Sequence, residues 1–218
     1  MQLEVSIPSS LKEVKLKNYQ DFLLIENPND DDLIKCILNI NTKELGKIKD
    51  KDIEYLINHT NKLFDTEHKF IPTFNLNGTL FGFIPNLDDI TYGENKDVTS
   101  YINEWGNMHK AMAVLFRPIK QKQGSKYLIE EYEGSHKYSE LMKQMPLSAV
   151  LGAMVFFYNL TNALLKYMPN YLEQELQKEL TQEQVSQENG VHIANYIHLV
   201  KETLPDLKKL QSFHYTSA

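Results

Sequence analysis

The sequence predicts a mostly α-helical α+β fold: a helical core with one or two β-hairpins and a C-terminal helical arm. Three observations carry that prediction. Apolar residues recur three and four positions apart in several stretches, the spacing of one helix face. Asn77-Gly78, a pair in which both residues tolerate positive φ, stands between two short apolar-polar alternations. From Gln144 to Leu165 there is no charged residue, which marks a helix buried on all sides.

The chain has 218 residues, 42% hydrophobic and 24% charged, enough for one packed domain with an appendage. Lys and Arg number 23 against 29 Asp and Glu, a net charge of −6, and Arg117 is the sole arginine. A chain this acidic and this poor in arginine is a weak candidate for wrapping nucleic acid. The single cysteine, Cys36, excludes an internal disulfide framework and any multi-thiolate metal site. The N-terminus has no basic segment followed by an apolar one, so no secretory signal is expected, and neither end carries a lipidation motif.

Residues 1–8 suit a short strand closed by Pro8. Val14 and Leu16 are spaced as in a strand, then Tyr19, Phe22 and Leu23 as in a short helix, which stops at Asn27-Pro28-Asn29. Asp30 to Asp32 place carboxylates where a helix exposes unpaired N–H groups. The helix they open, over residues 33–40, exposes Lys35 and buries Leu33, Ile37 and Ile40. Asp50-Lys51-Asp52 opens another, with Ile53, Leu56, Ile57, Thr60 and Phe64 as its apolar stripe. A two-residue turn at Asn77-Gly78 sets Leu76 against Thr79, Asn75 against Leu80 and Phe74 against Phe81. Phe74, Leu76, Phe81 and Phe83 then share one face, and Pro72 and Pro85 bracket the unit.

Residues 86–94 read as a charged loop and Asp97 to Phe116 as one helix, with Tyr101, Trp105, Met108, Met112 and Leu115 on one side. It must end by Arg117-Pro118, because a residue before proline avoids the α region. Ile119 and residues 126–132 flank Lys120 to Gly124 as a second, longer-looped hairpin. A helix over 137–145 precedes Pro146, and the uncharged helix runs from Leu147 to Lys166, with Pro169 as a point of breakage before helix resumes to Leu180. At 1.5 Å per residue its apolar part would span about 28 Å, near a bilayer's thickness. Ser148, Asn159, Thr161 and Asn162 are costly in lipid, so a buried helix is favoured over a membrane span. The expected organisation is a compact body over 1–180, a polar linker over 181–190 and an arm over 191–218, with Ile193, Ile197, Val200 and Leu204 on one face.

No reaction constellation emerges from the side chains. The histidines at 59, 68, 109, 136, 192, 198 and 214 form no zinc-binding pattern, and His109 between Trp105 and Met112 reads as structural. Asp88, Asp89 and Glu94 fit a solvated turn, and Glu130, Glu131 and Glu133 the outer face of a strand. From Lys110 to Lys126 there are five cations and no acid. That basic stretch favours a protein partner, ahead of a solvated loop and of nucleic acid.

Three stretches together resemble a known group of proteins. Val14 to Phe22 (Val-Lys-Leu-Lys-Asn-Tyr-Gln-Asp-Phe) is similar to the opening of proteins from tailed bacteriophages of Bacteroidetes. Phe81 to Glu94 (Phe-Gly-Phe-Ile-Pro-Asn-Leu-Asp-Asp-Ile-Thr-Tyr-Gly-Glu) resembles their central block. So does Met108 to Ile119, followed by Met145-Pro146-Leu147 and Gly152 to Phe157. The likeness is strongest over residues 80–165 and fades in the arm. Such proteins occur in structural gene clusters of crAss-like and related gut phages, described as virion proteins or as tail-assembly-chaperone-like. The resemblance implies a non-enzymatic role in assembly, brings no catalytic residue or cofactor, and leaves ring or connector subunit and chaperone both open.

On that reading the chain is a virion subunit assembled in the host cytoplasm. Its partners are neighbouring copies in a homo-oligomeric ring and other phage structural proteins, not nucleic acid or membrane. The expected contacts are Asp88, Asp89, Tyr92 and Glu94 on one rim loop and Arg117, Lys120, Lys122 and Lys126 on a second, basic loop. Ile193, Ile197, Val200 and Leu204 would lay the arm in a neighbour's groove.

Overall fold

The computed structural model describes residues 5–160. The chain divides into two units, residues 1–153 and 154–218, and the predicted boundaries at 180 and 190 lie outside the described residues. The first unit combines helices with one four-stranded antiparallel sheet in the order β1-β2-β3-β4. It is the helix-rich α+β fold that the sequence predicts.

The expected strand at Val14–Leu16 shrinks to a single bridge between Lys15 and Pro146. Leu147 donates to the Val14 carbonyl (2.8 Å) and Leu16 to that of Met145 (2.9 Å), but Pro146 has no N–H with which to extend the ladder. Helix α1 (Leu16–Leu23) starts at once. Helix α2 (Asp30–Leu38) opens on a reciprocal cap: the Asn29 side chain accepts from the Asp32 N–H (3.0 Å) and the Asp32 carboxylate from the Asn29 N–H (3.1 Å). It ends on Asn39 at φ 53°, a left-handed cap that asparagine tolerates. A four-residue helix, α3 (Thr42–Leu45), repeats the device with Asn41 and Glu44. Helix α4 (Asp50–Phe64) follows as predicted, and its Leu56 closes a cluster with Ile34, Leu38 and Leu45. Ile40, expected inside α2, lies beyond its cap and is half-buried against this cluster.

Strands β1 (Thr73–Leu76) and β2 (Thr79–Phe83) pair in the register that the Asn77-Gly78 turn dictates, with φ of 51° and 82° at the turn. Phe74, Leu76, Phe81 and Phe83 are all buried. The Phe74 and Phe83 rings pack edge-on against Phe116, each at 5.2 Å, and Phe81 meets Tyr138 at 5.6 Å. Burying each of these side chains stabilises the fold by roughly 1.5–3 kcal/mol.

The long helix expected over 97–116 is three elements. Helix α5 (Tyr92–Tyr101) starts five residues early, a 3-10 turn covers Trp105–Asn107, and α6 (Met108–Leu115) follows. The break is held by α1: Gln20 Nε2 donates to the carbonyls of Trp105 (2.5 Å) and Gly106 (3.2 Å), and Tyr19 meets the Trp105 ring edge-on at 5.1 Å. The apolar face of α6 is as predicted, with Met108, Met112 and Leu115 fully buried.

His109 packs into the interior, as its sequence neighbours suggested. It is buried, and its Nδ1 lies 3.1 Å from Gln20 Nε2. Burial, and then Lys143, hold its pKa below the ordinary histidine value. Since the folded ring takes up its proton at lower pH than the unfolded one, His109 lowers stability as pH falls below about 6.5. Urea midpoints measured between pH 7.5 and 5.5 should therefore drop, and H109Q should flatten the slope. An unchanged slope would count against this origin.

Helix α6 runs into β3 (Phe116–Gln123) with no connecting residue. Pro118 sits inside this strand, opposite Phe81. Its carbonyl accepts from the Glu130 N–H (2.9 Å), so the position where an N–H is missing faces the β4 side and the ladder to β2 loses nothing. Strand β4 (Lys126–Ile129) returns through a tight Gly124-Ser125 turn, shorter than expected, and a bulge at Lys120 shifts the register.

The helix predicted over 137–145 is shorter: a 3-10 turn at Ser135–Lys137 and then α7 (Ser139–Met142). Helix α8 (residues 147–160) follows Pro146 directly and buries Leu147, Ala149, Val150 and Ala153 within the first unit. No helix among the described residues is long and apolar enough to cross a membrane. Of the second unit, 154–160 are described and helical, with the rings of Phe156 and Phe157 at 5.5 Å.

Candidate functional site

Two of the expected rim contacts lie inside the molecule. Glu94 is 3% exposed and Arg117 7%, and their side chains form an ion pair. The reason is local on one side and tertiary on the other. Thr91 caps α5: its hydroxyl accepts from the Glu94 N–H (3.3 Å), and the Glu94 carboxylate accepts from the Thr91 N–H and hydroxyl (both 2.7 Å). This turns Glu94 toward the sheet, where Arg117 arrives on β3 opposite Gly82. The Arg117 guanidinium also lies 5.5 Å from the Tyr132 ring centre, and the Tyr132 hydroxyl donates to Asp97. Burial pushes the Glu94 carboxyl up, but the two Thr91 donors and Arg117 hold it below the ordinary carboxylate range. Burial and Asp97 raise the Tyr132 phenol.

Above this pair lies a cleft of about 560 Å³, with Ile84, Pro85, Leu128 and Ile129 as apolar walls and Asp89, Glu130 and Glu131 at its rim. It unites Asp89, Glu94 and Arg117 of the sequence-predicted contacts. Asp88 and Tyr92 are exposed outside it; Asn86 caps their turn through the Asp88 N–H (3.2 Å) and the Asp89 carboxylate (2.7 Å). Every lone pair Glu94 offers to a neighbour serves the fold. Glu130 is likewise engaged, accepting from Lys137 (2.8 Å) and the Tyr138 hydroxyl. The arrangement supplies a groove with an acidic rim beside a sheet edge. No group of His, Cys, Asp and Glu that could hold a metal occurs among the described residues.

Lys120, Lys122 and Lys126 belong to the β3–β4 hairpin rather than to a loop, and every residue from 120 to 126 is exposed. Among the described residues neither Lys122 nor Lys126 makes an ion pair. A second groove, of about 450 Å³, runs between Pro85 and the hairpin and shares Pro85 and Leu128 with the first. Ile193, Ile197, Val200 and Leu204 lie outside the described residues. Sequence reasoning missed Tyr132 and the burial of Glu94; Thr91-x-x-Glu94 was the available signal for the latter, since it is a capping box. No protein-family model, curated protein or solved structure matches the chain.

Proposed function

We propose that this chain is a non-enzymatic structural subunit of a tailed-phage particle, a ring or connector protein of the head-to-tail or tail region. The observation that carries the reading is the exposed β3–β4 hairpin, whose Lys120, Lys122 and Lys126 are the solvent-facing end of the acid-free basic stretch in a chain with net charge −6. A surface of one sign on a body of the other suits a contact repeated between copies, where charge complementarity orients the partners. The likeness of residues 80–165 to phage structural proteins supports the same role. Exposed Asp88, Asp89 and Tyr92 are the acidic and aromatic side of that contact, and the Ile193, Ile197, Val200 and Leu204 stripe is an arm for a neighbour's groove.

Mass spectrometry of purified particles tests this directly: a ring subunit is present in fixed stoichiometry. Its absence from mature particles would turn the reading to an assembly chaperone that binds a tape-measure-type protein and leaves. Cutting after Leu180 tests the arm. Assembly should weaken, and unchanged affinity of the shortened chain for its partners would remove the arm from the proposal.

A further inference from the structure

Strand β4 is an edge of the sheet, with β3 as its one strand neighbour among the described residues. Its sequence and the residue after it read Lys126-Tyr127-Leu128-Ile129-Glu130, a segment whose charges are opposite in sign and equidistant from its middle. The middle residue, Leu128, is 63% exposed, one of the most exposed large hydrophobics of the chain. Edge strands are commonly guarded by charge against pairing. Here the guard fails against one partner: a second copy run antiparallel, for which each Lys126 meets a Glu130.

We propose that β4 pairs with β4 of a second copy across a two-fold axis centred on Leu128, joining two four-stranded sheets into one. Glu130 donates its N–H inward to Pro118 (2.9 Å), so alternation turns the backbone groups of Leu128 inward and those of Tyr127 and Ile129 outward. A ladder centred on Leu128 therefore hydrogen-bonds Tyr127 of each copy to Ile129 of the other. The two Leu128 side chains face each other at the closer, non-hydrogen-bonded position. Lys126 and Glu130 fall on the same face as Leu128, and each Lys126 joins the network in which the other copy's Glu130 already holds Lys137 and Tyr138. A shift of register by two residues loses the Leu128 contact and the charge match together. The pairing closes on itself and does not depend on the ring reading.

Light scattering on the full chain across a concentration series should show a dimer in exchange with monomer. K126E sets like charges opposite at two symmetric places and should weaken dimerisation about tenfold or more. The register is tested by cross-linking in a C36S background. L128C places each new thiol opposite itself, at roughly 4.5 Å between Cα atoms, within disulfide reach, and should give a covalent dimer on mild oxidation. K126C faces Glu130 and should give far less. Both positions are exposed, so circular dichroism should be unchanged in each. A monomer at all concentrations, an unaffected K126E, or equal cross-linking by L128C and K126C would overturn the proposal. Presence of the protein in particles with β4 unpaired would leave the structural-subunit reading standing without it.

Discussion

Replacing Arg117 with methionine should lower folding stability by about 3–5 kcal/mol, because it leaves the Glu94 carboxylate buried without its counter-ion. E94Q should cost a similar amount by leaving Arg117 uncompensated, while its amide oxygen can still accept from Thr91. The double variant should lose much less stability than the sum of the two single losses, since a buried pair replaced as a whole is often close to neutral. Urea denaturation of the four proteins gives the coupling. Single losses below about 1 kcal/mol, the range of exposed pairs, would show that water reaches the site. The pH dependence has a definite sign. Burial raises the Glu94 carboxyl but its donors lower it further, so the folded group releases its proton more readily than the unfolded one. That stabilisation is complete above the ordinary carboxylate range and is lost as pH falls through the folded pKa. R117M should make the acid limb of the stability curve shallower.

G152A should also destabilise the fold, although it is the smallest possible change. A Cβ at this position would lie 2.3 Å from the Lys69 carbonyl oxygen and 3.3 Å from the Phe70 Cα, both backbone atoms. Two backbones cannot give way as a side chain can, so helix α8 or the 69–70 segment must move. Alanine favours a helix over glycine by about 1 kcal/mol, which partly offsets the clash. Overpacking costs roughly 1–3 kcal/mol and more where nothing can relax, so the net effect should be a loss of about 2 kcal/mol. Thermal melting would register this as a midpoint several degrees lower. G82A is the contrast: its Cβ meets Tyr127 Cε2 at 2.6 Å, and that ring can swing at the expense of its hydroxyl bond to the Phe83 carbonyl (3.0 Å). A raised midpoint for G152A would mean that the 69–70 segment is free to withdraw.

What could be read in advance was what neighbours in sequence decide. The Asn77-Gly78 turn sets its own register, so every pairing from Phe74–Phe81 to Leu76–Thr79 was legible. The carboxylates at Asp30 to Asp32 and Asp50 to Asp52 marked helix starts for the same reason. The Thr91–Glu94 box was equally local, but the acidic run it closes, residues 86–94, read as a charged loop. The break between α5 and α6 depends on Gln20, more than eighty residues earlier, whose amide bonds the Trp105 and Gly106 carbonyls. Arg117 looked like part of a basic surface because its counter-ion arrives from α5, 23 residues back. A charge run shows its sign in the sequence; which of its members is turned inward is decided by the partner across the fold.

The direct passage from α6 into β3 has a mechanical consequence. A loop between a helix and a strand absorbs displacement, and none separates Leu115 from Phe116. The exposed hairpin is the free end of a lever whose fulcrum is Phe116, clasped by Phe74 and Phe83, and whose short arm is a helix with seven of its eight residues buried. Load taken up at residues 120–126 passes into the interior without slack. Whatever grips the hairpin thereby grips the core.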